Sequence, residues 1–320
     1  MDREELLERL KFHVPQNKKK RVIIHSDIAA EADDQFAVVH HLLTPSEDVK
    51  GIIAANFEWR YRTVSSLQEF KGNSMSESYE EGKRILKLMQ IDDIPIWKGA
   101  VDRIVDIDHL PESEGADAII KEAMKKDESP LYIALQGNLT DMAIAYLKEP
   151  KIADKITAAI WIGGGPYPDG GMESNMRQDV LASKVVFESP IVLWQIPSSV
   201  YSNIYLTFAE LILKVRPCGK LGEYLADNMF HLTEQVQTVL SPHGEIWSIG
   251  DQPTISVLLE TEQGSKYHFE KVTLNDDMTY SSNPVGKEIR VYDSIDKRLT
   301  MDDFFAKLEL CYGEKMADKN

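Results

Sequence analysis

Cysteine is scarce. Cys218 and Cys311 are the only two in 320 residues, too few and too far apart in sequence for a disulfide scaffold or a thiolate metal site. A reducing compartment, the cytoplasm, is the expected setting. Positive charge is also in deficit, with 36 Lys+Arg against 52 Asp+Glu for a net charge of −16. Such a chain repels polyanions, which argues against nucleic acid or an anionic membrane surface as a partner. No window approaches the roughly 20 consecutive apolar residues of a membrane span. Residues 1–20 mix acids, bases and scattered leucines instead of the apolar stretch of a signal peptide. No Gly-, Ser- or Pro-rich linker divides the chain, and no internal repeat is found. The reading is one domain over 21–320, preceded by an N-terminal helical extension, 1–20.

What is present is ample apolar content, 43%, arranged as alternating strand-like and helix-like segments. Arg21–Ser26 holds the β-branched run Val22, Ile23, Ile24 of a buried strand. Further strands are expected at Val49–Ala54, Ile94–Trp97, Leu131–Leu135, Ala158–Ile162 and Ile191–Gln195. Helices are expected at Gln35–Leu43, Glu80–Met89, Ala116–Lys125, Leu139–Leu147 and Asp179–Phe187. Strand alternating with helix predicts an α/β fold with a mostly parallel central sheet flanked by helices. Beyond Thr207 the pattern turns helical. Thr207 and Glu210 have capping-box spacing, Leu221–Leu240 continues the helical region, and Lys266–Val291 reads as antiparallel strands before a last helix at Met301–Leu310.

Chemistry gathers just after the first strand, where loops of an open α/β sheet converge on a crevice. Asp27, Glu31, Asp33 and Asp34 fall within eight residues. So many carboxylates repel one another unless a cation or solvent offsets them. One reading is that Asp33 and Asp34 only cap the next helix, favoured by its dipole. The added Asp27 at the strand end favours a metal site. With no Cys or clustered His nearby, the cation expected is hard, and a flexible oxygen cage leans to Ca²⁺, with Mg²⁺ the alternative.

This segment, His25-Ser-Asp27-Ile-Ala-Ala-Glu-Ala-Asp33-Asp34, resembles the D-x-D-P-G-x-D-D signature of the inosine-uridine preferring nucleoside hydrolases. It differs in carrying His25 for the first acid, lacking the Pro-Gly, and having a loop two residues longer. It is closer to a divergent branch whose motif reads T-D-I-x-x-E-x-D-D-Q. Four more segments are similar to family motifs in the same order. Gly51–Asn56 resembles G-I-x-x-x-x-G-N, and 134–141, Ala-Leu-Gln-Gly-Asn-Leu-Thr-Asp, resembles the G-P-L-T-N turn. Ile162–Gly165 with Glu173, Asn175 and Asp179 is similar to the G-G and E-F-N-x-x-x-D stretches, and Gly250–Pro253 to H-D-P.

The resemblance implies a nucleoside-hydrolase-like fold and hydrolysis of the N-glycosidic bond of a ribonucleoside, or of another ribosyl compound, by a metal-activated water. It implies Asp27, Asp34, Asp251 and the backbone carbonyl of Gln136 as metal ligands, Asp27 doubling as general base. Asp33, Asn56, Glu173 and Asn175 would bind the sugar. Buried polar groups of this kind reject sugars lacking the matching hydroxyl. Alone, Asn56 would pass as a turn residue. Many family members place a His before the late Asp, where this chain has Gly250. His243 and Trp247 are the candidates to meet the leaving base, although a loop His is commonly solvated and a Trp commonly core. His40 and His41 read as ordinary helical side chains, packed or exposed. Relatives commonly form homo-oligomers. Two other readings remain open: a ribose- or ribosyl-binding protein of the same fold with altered catalysis, and a metal-dependent phosphohydrolase on another α/β fold.

Overall fold

A computed structural model describes residues 1–58, 73–236, 244–259 and 264–313. Its centre is an eight-stranded sheet in the order β3-β2-β1-β4-β5-β6-β12-β9. The strands are β1 (Lys20–Ser26), β2 (Glu47–Ala54), β3 (Ile96–Lys98), β4 (Leu131–Gln136), β5 (Ala158–Ile162), β6 (Leu193–Ile196), β9 (Lys266–Glu270) and β12 (Ile289–Ser294). Every pairing is parallel except β12 with β9 at one edge. The expected mixed α/β fold with a mostly parallel sheet is therefore found. Two small antiparallel ribbons stand apart, β7 (Tyr205–Thr207) with β8 (Ile246–Ser248), and β10 (Val272–Leu274) with β11 (Tyr280–Ser282).

Burial explains the strand composition. Val22, Ile23 and Ile24 are wholly buried, and successive residues feed opposite faces. Ile24 packs with Phe36, Leu42, Ile52 and Phe304 on one side. Ile23 packs with Ile53, Leu135, Met142 and Trp161 on the other. The first ten residues join this core. Leu6, Leu7 and Leu10 are buried in the same cluster as Phe36. The buried Arg3 guanidinium donates to the carbonyls of His41, Leu42, Thr44 and Glu47. These include carbonyls that the end of the Asp34–Leu42 helix leaves without an intrahelical partner.

The segments expected from sequence differ from the structure mainly at their ends. Asn73 and Ser113 cap helices that begin at Ser74 and Glu114, earlier than apolar spacing alone places them. The last helix runs Lys297–Tyr312, begun by the Asp296 cap. Thr207 and Glu210 form the expected capping box. The C-terminal strands are not all antiparallel: β12 runs parallel to β6, which extends the main sheet.

The strand order sets the position of the site. β1 is flanked by β2 and β4, and from β1 the chain winds first towards one edge, then towards the other. The carboxyl ends of β1 and β4, Ser26 paired with Gln136, therefore lie at the reversal point where the outgoing loops part and leave a crevice.

Candidate active site

A cavity of about 460 Å³ opens at this reversal point. Its walls bring together segments far apart in sequence: Asp27, Glu31, Asp33 and Asp34 after β1, Gln136 at the end of β4, 173–178 after β5, and Gly250 and Asp251 before the Pro253–Leu259 helix. Within it Asp33, Asp34 and Asp251 each present a carboxylate oxygen within 4.8 Å of the others, and all three are buried.

Capping does not account for these acids. Asp33 occupies the N-cap position of the Asp34–Leu42 helix, yet its side chain makes no cap hydrogen bond. Its Oδ2 instead accepts from the backbone N–H of Gly250 at 2.8 Å. Asp34 Oδ1 accepts from Ser26 Oγ at 2.6 Å. Asp27 lines the same cavity, and its Oδ2 accepts from Gln178 Nε2 at 2.9 Å.

Glycine makes room at two points. A Cβ at Gly137 would stand 2.7 Å from Asp27 Oδ1. A Cβ at Gly250 would stand 3.0 Å from the Tyr201 ring. The Tyr201 ring thus takes up the space that a side chain at position 250 would need.

Crowding shifts the protonation of the cluster. Burial, then the charges of Glu31 and Asp27, push Asp33 up to about 7 against the pull of the Gly250 N–H. Burial, then Asp27 and Asp33, raise Asp34 well above the usual carboxylate range. Burial, then Asp34, Asp33 and Asp27, do the same to Asp251, which shares a hydrogen bond with Asp34. A bound divalent cation would replace the protons these groups retain. The donors fit a hard cation: every candidate ligand is an oxygen, and Gln136 Oε1 is buried in the same wall with no hydrogen-bond partner.

The sugar-side candidates divide. Glu173 and Asn175 line the cavity, and Asn56 is not among its lining residues. The Asn56 amide donates to the carbonyl of Ala100, while its own carbonyl accepts from Asn138. The Glu173 carboxylate receives the N–H groups of Gly164, Asn175 and Met176 and the hydroxyl of Tyr201. It thereby caps the Ser174–Gln178 helix as well as facing the cavity.

The leaving-group candidates fare differently. His243 lies outside the described residues. Trp247 is 5% exposed and belongs to the apolar core, because two-residue alternation along β8 turns Ile246 and Ser248 to the cavity and the indole away. The indole is therefore corrected from a base-stacking candidate to a core residue. His25 also points away from the acids. Its Nε2 meets Asp141 Oδ2 at 2.9 Å with both side chains fully buried.

Three contributors were not foreseen: Ser26, Gln178 and Tyr201, which hold Asp34, Asp27 and Glu173. Gln178 directly precedes Asp179 of the E-F-N-x-x-x-D stretch, and strand β1 places Ser26 beside Asp27. Tyr201 carries no sequence signal at all.

A family model described as inosine-uridine preferring nucleoside hydrolase matches residues 22–302. The pyrimidine-specific ribonucleoside hydrolase RihA of Escherichia coli is 23% identical over 261 residues, covering 72% of this chain and 77% of its own. The probable uridine nucleosidase 2 of Oryza sativa subsp. japonica is 26% identical over 109 residues, 32% of this chain, and the match spans only 32% of that relative's length. Among solved structures, the purine-preferring ribonucleoside hydrolase from Gardnerella vaginalis superposes with a TM-score of 0.73 at 18% identity, covering 92% of this chain and 99% of that one. At that identity the likeness is one of fold.

Proposed function

The chain belongs to the inosine-uridine preferring nucleoside hydrolases, and on that premise we propose that it hydrolyses the N-glycosidic bond of ribonucleosides, releasing base and ribose, at the cavity beyond β1 and β4. The observation that carries this reading is the meeting of Asp33 and Asp34 with Asp251, more than 200 residues apart in the chain, within 4.8 Å of one another.

Asp27, Asp34, Asp251 and the Gln136 carbonyl would hold a divalent cation, Ca²⁺ first and Mg²⁺ second, that supplies an acidified water and a grip on sugar hydroxyls. The protein's own groups do the rest. Cleavage of the C1′–N bond develops positive charge on the ribosyl ring, and the lining carboxylates of Asp27, Glu31, Asp33, Asp34, Glu173 and Asp251 face that charge. Asp27, fixed by its amide partner, is the base that takes a proton from the attacking water. Asp33 accepts from a ribose hydroxyl, and Asn175, whose amide is oriented by the Ile162 carbonyl, presents its oxygen to the sugar. Asn56 supports the pocket from behind through Asn138 and Ala100.

The two buried free thiols, Cys218 and Cys311, support a cytoplasmic setting. No helix among the described residues is long and apolar enough to cross a membrane. Val101, Val105 and Ile107, exposed between β3 and the Glu114–Ala123 helix, support association into a homo-oligomer, which sedimentation would read.

The deciding experiment incubates purified protein and Ca²⁺ with a panel of purine and pyrimidine ribonucleosides and measures free base and reducing sugar. Release of both supports the reading. Ribose binding without turnover would favour a binding protein, and phosphate release from phosphoesters without base release would overturn the assignment.

A further inference from the structure

Gln178 stands out among the residues around Asp27. It is 6% exposed, lines the cavity, and donates from Nε2 to Asp27 Oδ2 at 2.9 Å. A carboxylate only accepts, so this contact fixes which end of the amide faces Asp27. The other end, Oε1, is buried and has no hydrogen-bond partner. An acceptor left unpaired away from water costs free energy comparable to a lost hydrogen bond. Because the Gln178 side chain borders the cavity, a donor that arrives with the reaction is the partner this acceptor lacks.

The helix bearing Gln178 is anchored at both ends, which argues against a side chain that has merely drifted inward. Glu173 caps its start by accepting from Asn175 and Met176. Asp179 follows its end and is tied to Ile104, Thr140 and Ala182. The backbone thus holds the amide against Asp27.

We infer that Gln178 is a positioning residue of the hydrolytic step, holding the Asp27 carboxylate with Nε2 and the attacking water with Oε1. This rests on the hydrolase reading above. Oxygen and nitrogen of one amide are about 2.3 Å apart by standard covalent geometry, so a water bound to Oε1 stands within reach of the carboxylate that Nε2 holds. The water donates one hydrogen to Gln178 and gives the other, as a proton, to Asp27. Its lone pair attacks C1′, and the C1′–N bond breaks with its electrons leaving on the base. The sequence Asn175-Met-Arg-Gln178 places this function beside the sugar-binding Asn175, with no additional loop.

Gln178→Met keeps length and volume but removes both polar ends. Expected is a fall in kcat of about ten- to a hundredfold, the size of one hydrogen bond to a charged group. KM should stay within about twofold, because the water is not part of the substrate. Gln178→Glu restores an acceptor but sets a second negative charge against Asp27, and should fail to rescue. The melting temperature of Gln178→Met should match wild type, and kcat is read at saturating calcium because Gln178 also holds the proposed ligand Asp27.

An unchanged kcat, or a rise in KM alone, overturns the inference, the latter by showing that Oε1 meets the sugar instead. Loss of kcat that saturating calcium restores, or that merely tracks a loss of stability, overturns it too. If the wild-type protein releases no base, the hydrolase reading falls by itself. The positioning role is then read from a crystal structure of the calcium- and ribose-loaded protein. A water within about 3.2 Å of both Oε1 and Asp27 supports the inference, and a sugar hydroxyl or nothing at Oε1 refutes it.

Discussion

His41 Nε2 lies 3.1 Å from Thr254 Oγ1, which joins the helix that begins at Asp34 to the helix that follows Asp251. A second bolt lies beside it, His40 Nδ1 at 2.6 Å from the Gln252 amide. Thr254 Oγ1 also receives Gln136 Nε2 and bonds the Asp251 carbonyl. The last turn of the helix that Asp34 begins, the end of β4 and the start of the helix after Asp251 therefore meet at one hydroxyl. His41→Leu is expected to weaken calcium binding about tenfold, at the lower end of what outer-shell partners of metal ligands contribute. Calorimetric titration checks this, and calcium affinity equal to wild type would reduce the bolt to a packing contact.

The acid cluster ties stability to pH with a definite sign. Asp33 is raised from 3.8 to about 7, and burial among like charges also raises Asp34 and Asp251 well above the usual carboxylate value. Below about pH 4 these carboxyls are protonated in the folded and unfolded chain alike. As pH rises towards 7 and beyond, the unfolded chain gives up their protons first, so the metal-free fold loses stability. The melting temperature without metal should fall across this range, and Asp251→Asn should flatten the fall. Saturating Ca²⁺ should restore stability at neutral pH, with proton release on binding. A metal-free melting temperature that rises from pH 4 to 7 would show that the acids are not held protonated.

The fold was legible because its signals are local. Val22, Ile23 and Ile24 declare a buried strand, and Thr207 with Glu210 declares a helix start. The acid segment was legible because like charges crowd only where something offsets them. What escaped is long-range or directional. Tyr201 reaches Glu173 through the fold of a short helix after β6, and nothing near it in the chain marks the contact. Nearness to Asp251 in sequence makes Trp247 a candidate for the cavity alongside the core, but the side of the strand decides, and that depends on the pairing of β8 with β7.

The buried pair His25–Asp141 invites a double-mutant cycle. Burial would raise Asp141, but the hydrogen bond and charge of His25, then Ser113 Oγ and the Ala100 N–H, overcome it and hold the carboxyl below its usual value. A carboxyl held low contributes stability at neutral pH that is lost as pH falls through its folded pKa. His25→Ala strips the partner from a fully buried charge and should cost about 3–5 kcal/mol, read from urea unfolding. Asp141→Asn added to His25→Ala should recover part of that loss, because the charge left unpaired is removed. Strict additivity of the two changes would show that the pair does not interact.

Trp247 offers the clearest separation of packing from recognition. Its ring is buried in the cluster with Leu206, Val215 and Ile249, on the opposite side of β8 from the cavity. Trp247→Phe should leave the ratio of kcat/KM between purine and pyrimidine nucleosides within about twofold, because no base touches the indole. Trp247→Ala should lower stability by about 3–5 kcal/mol through the cavity it opens, read as a drop in the urea midpoint. Ser248→Ala, one residue on and facing the cavity, should leave stability within about 0.5 kcal/mol of wild type while changing kcat/KM unequally among bases. A reversal, with Trp247→Phe altering base preference and Ser248→Ala silent, would turn β8 over and place the indole against the substrate.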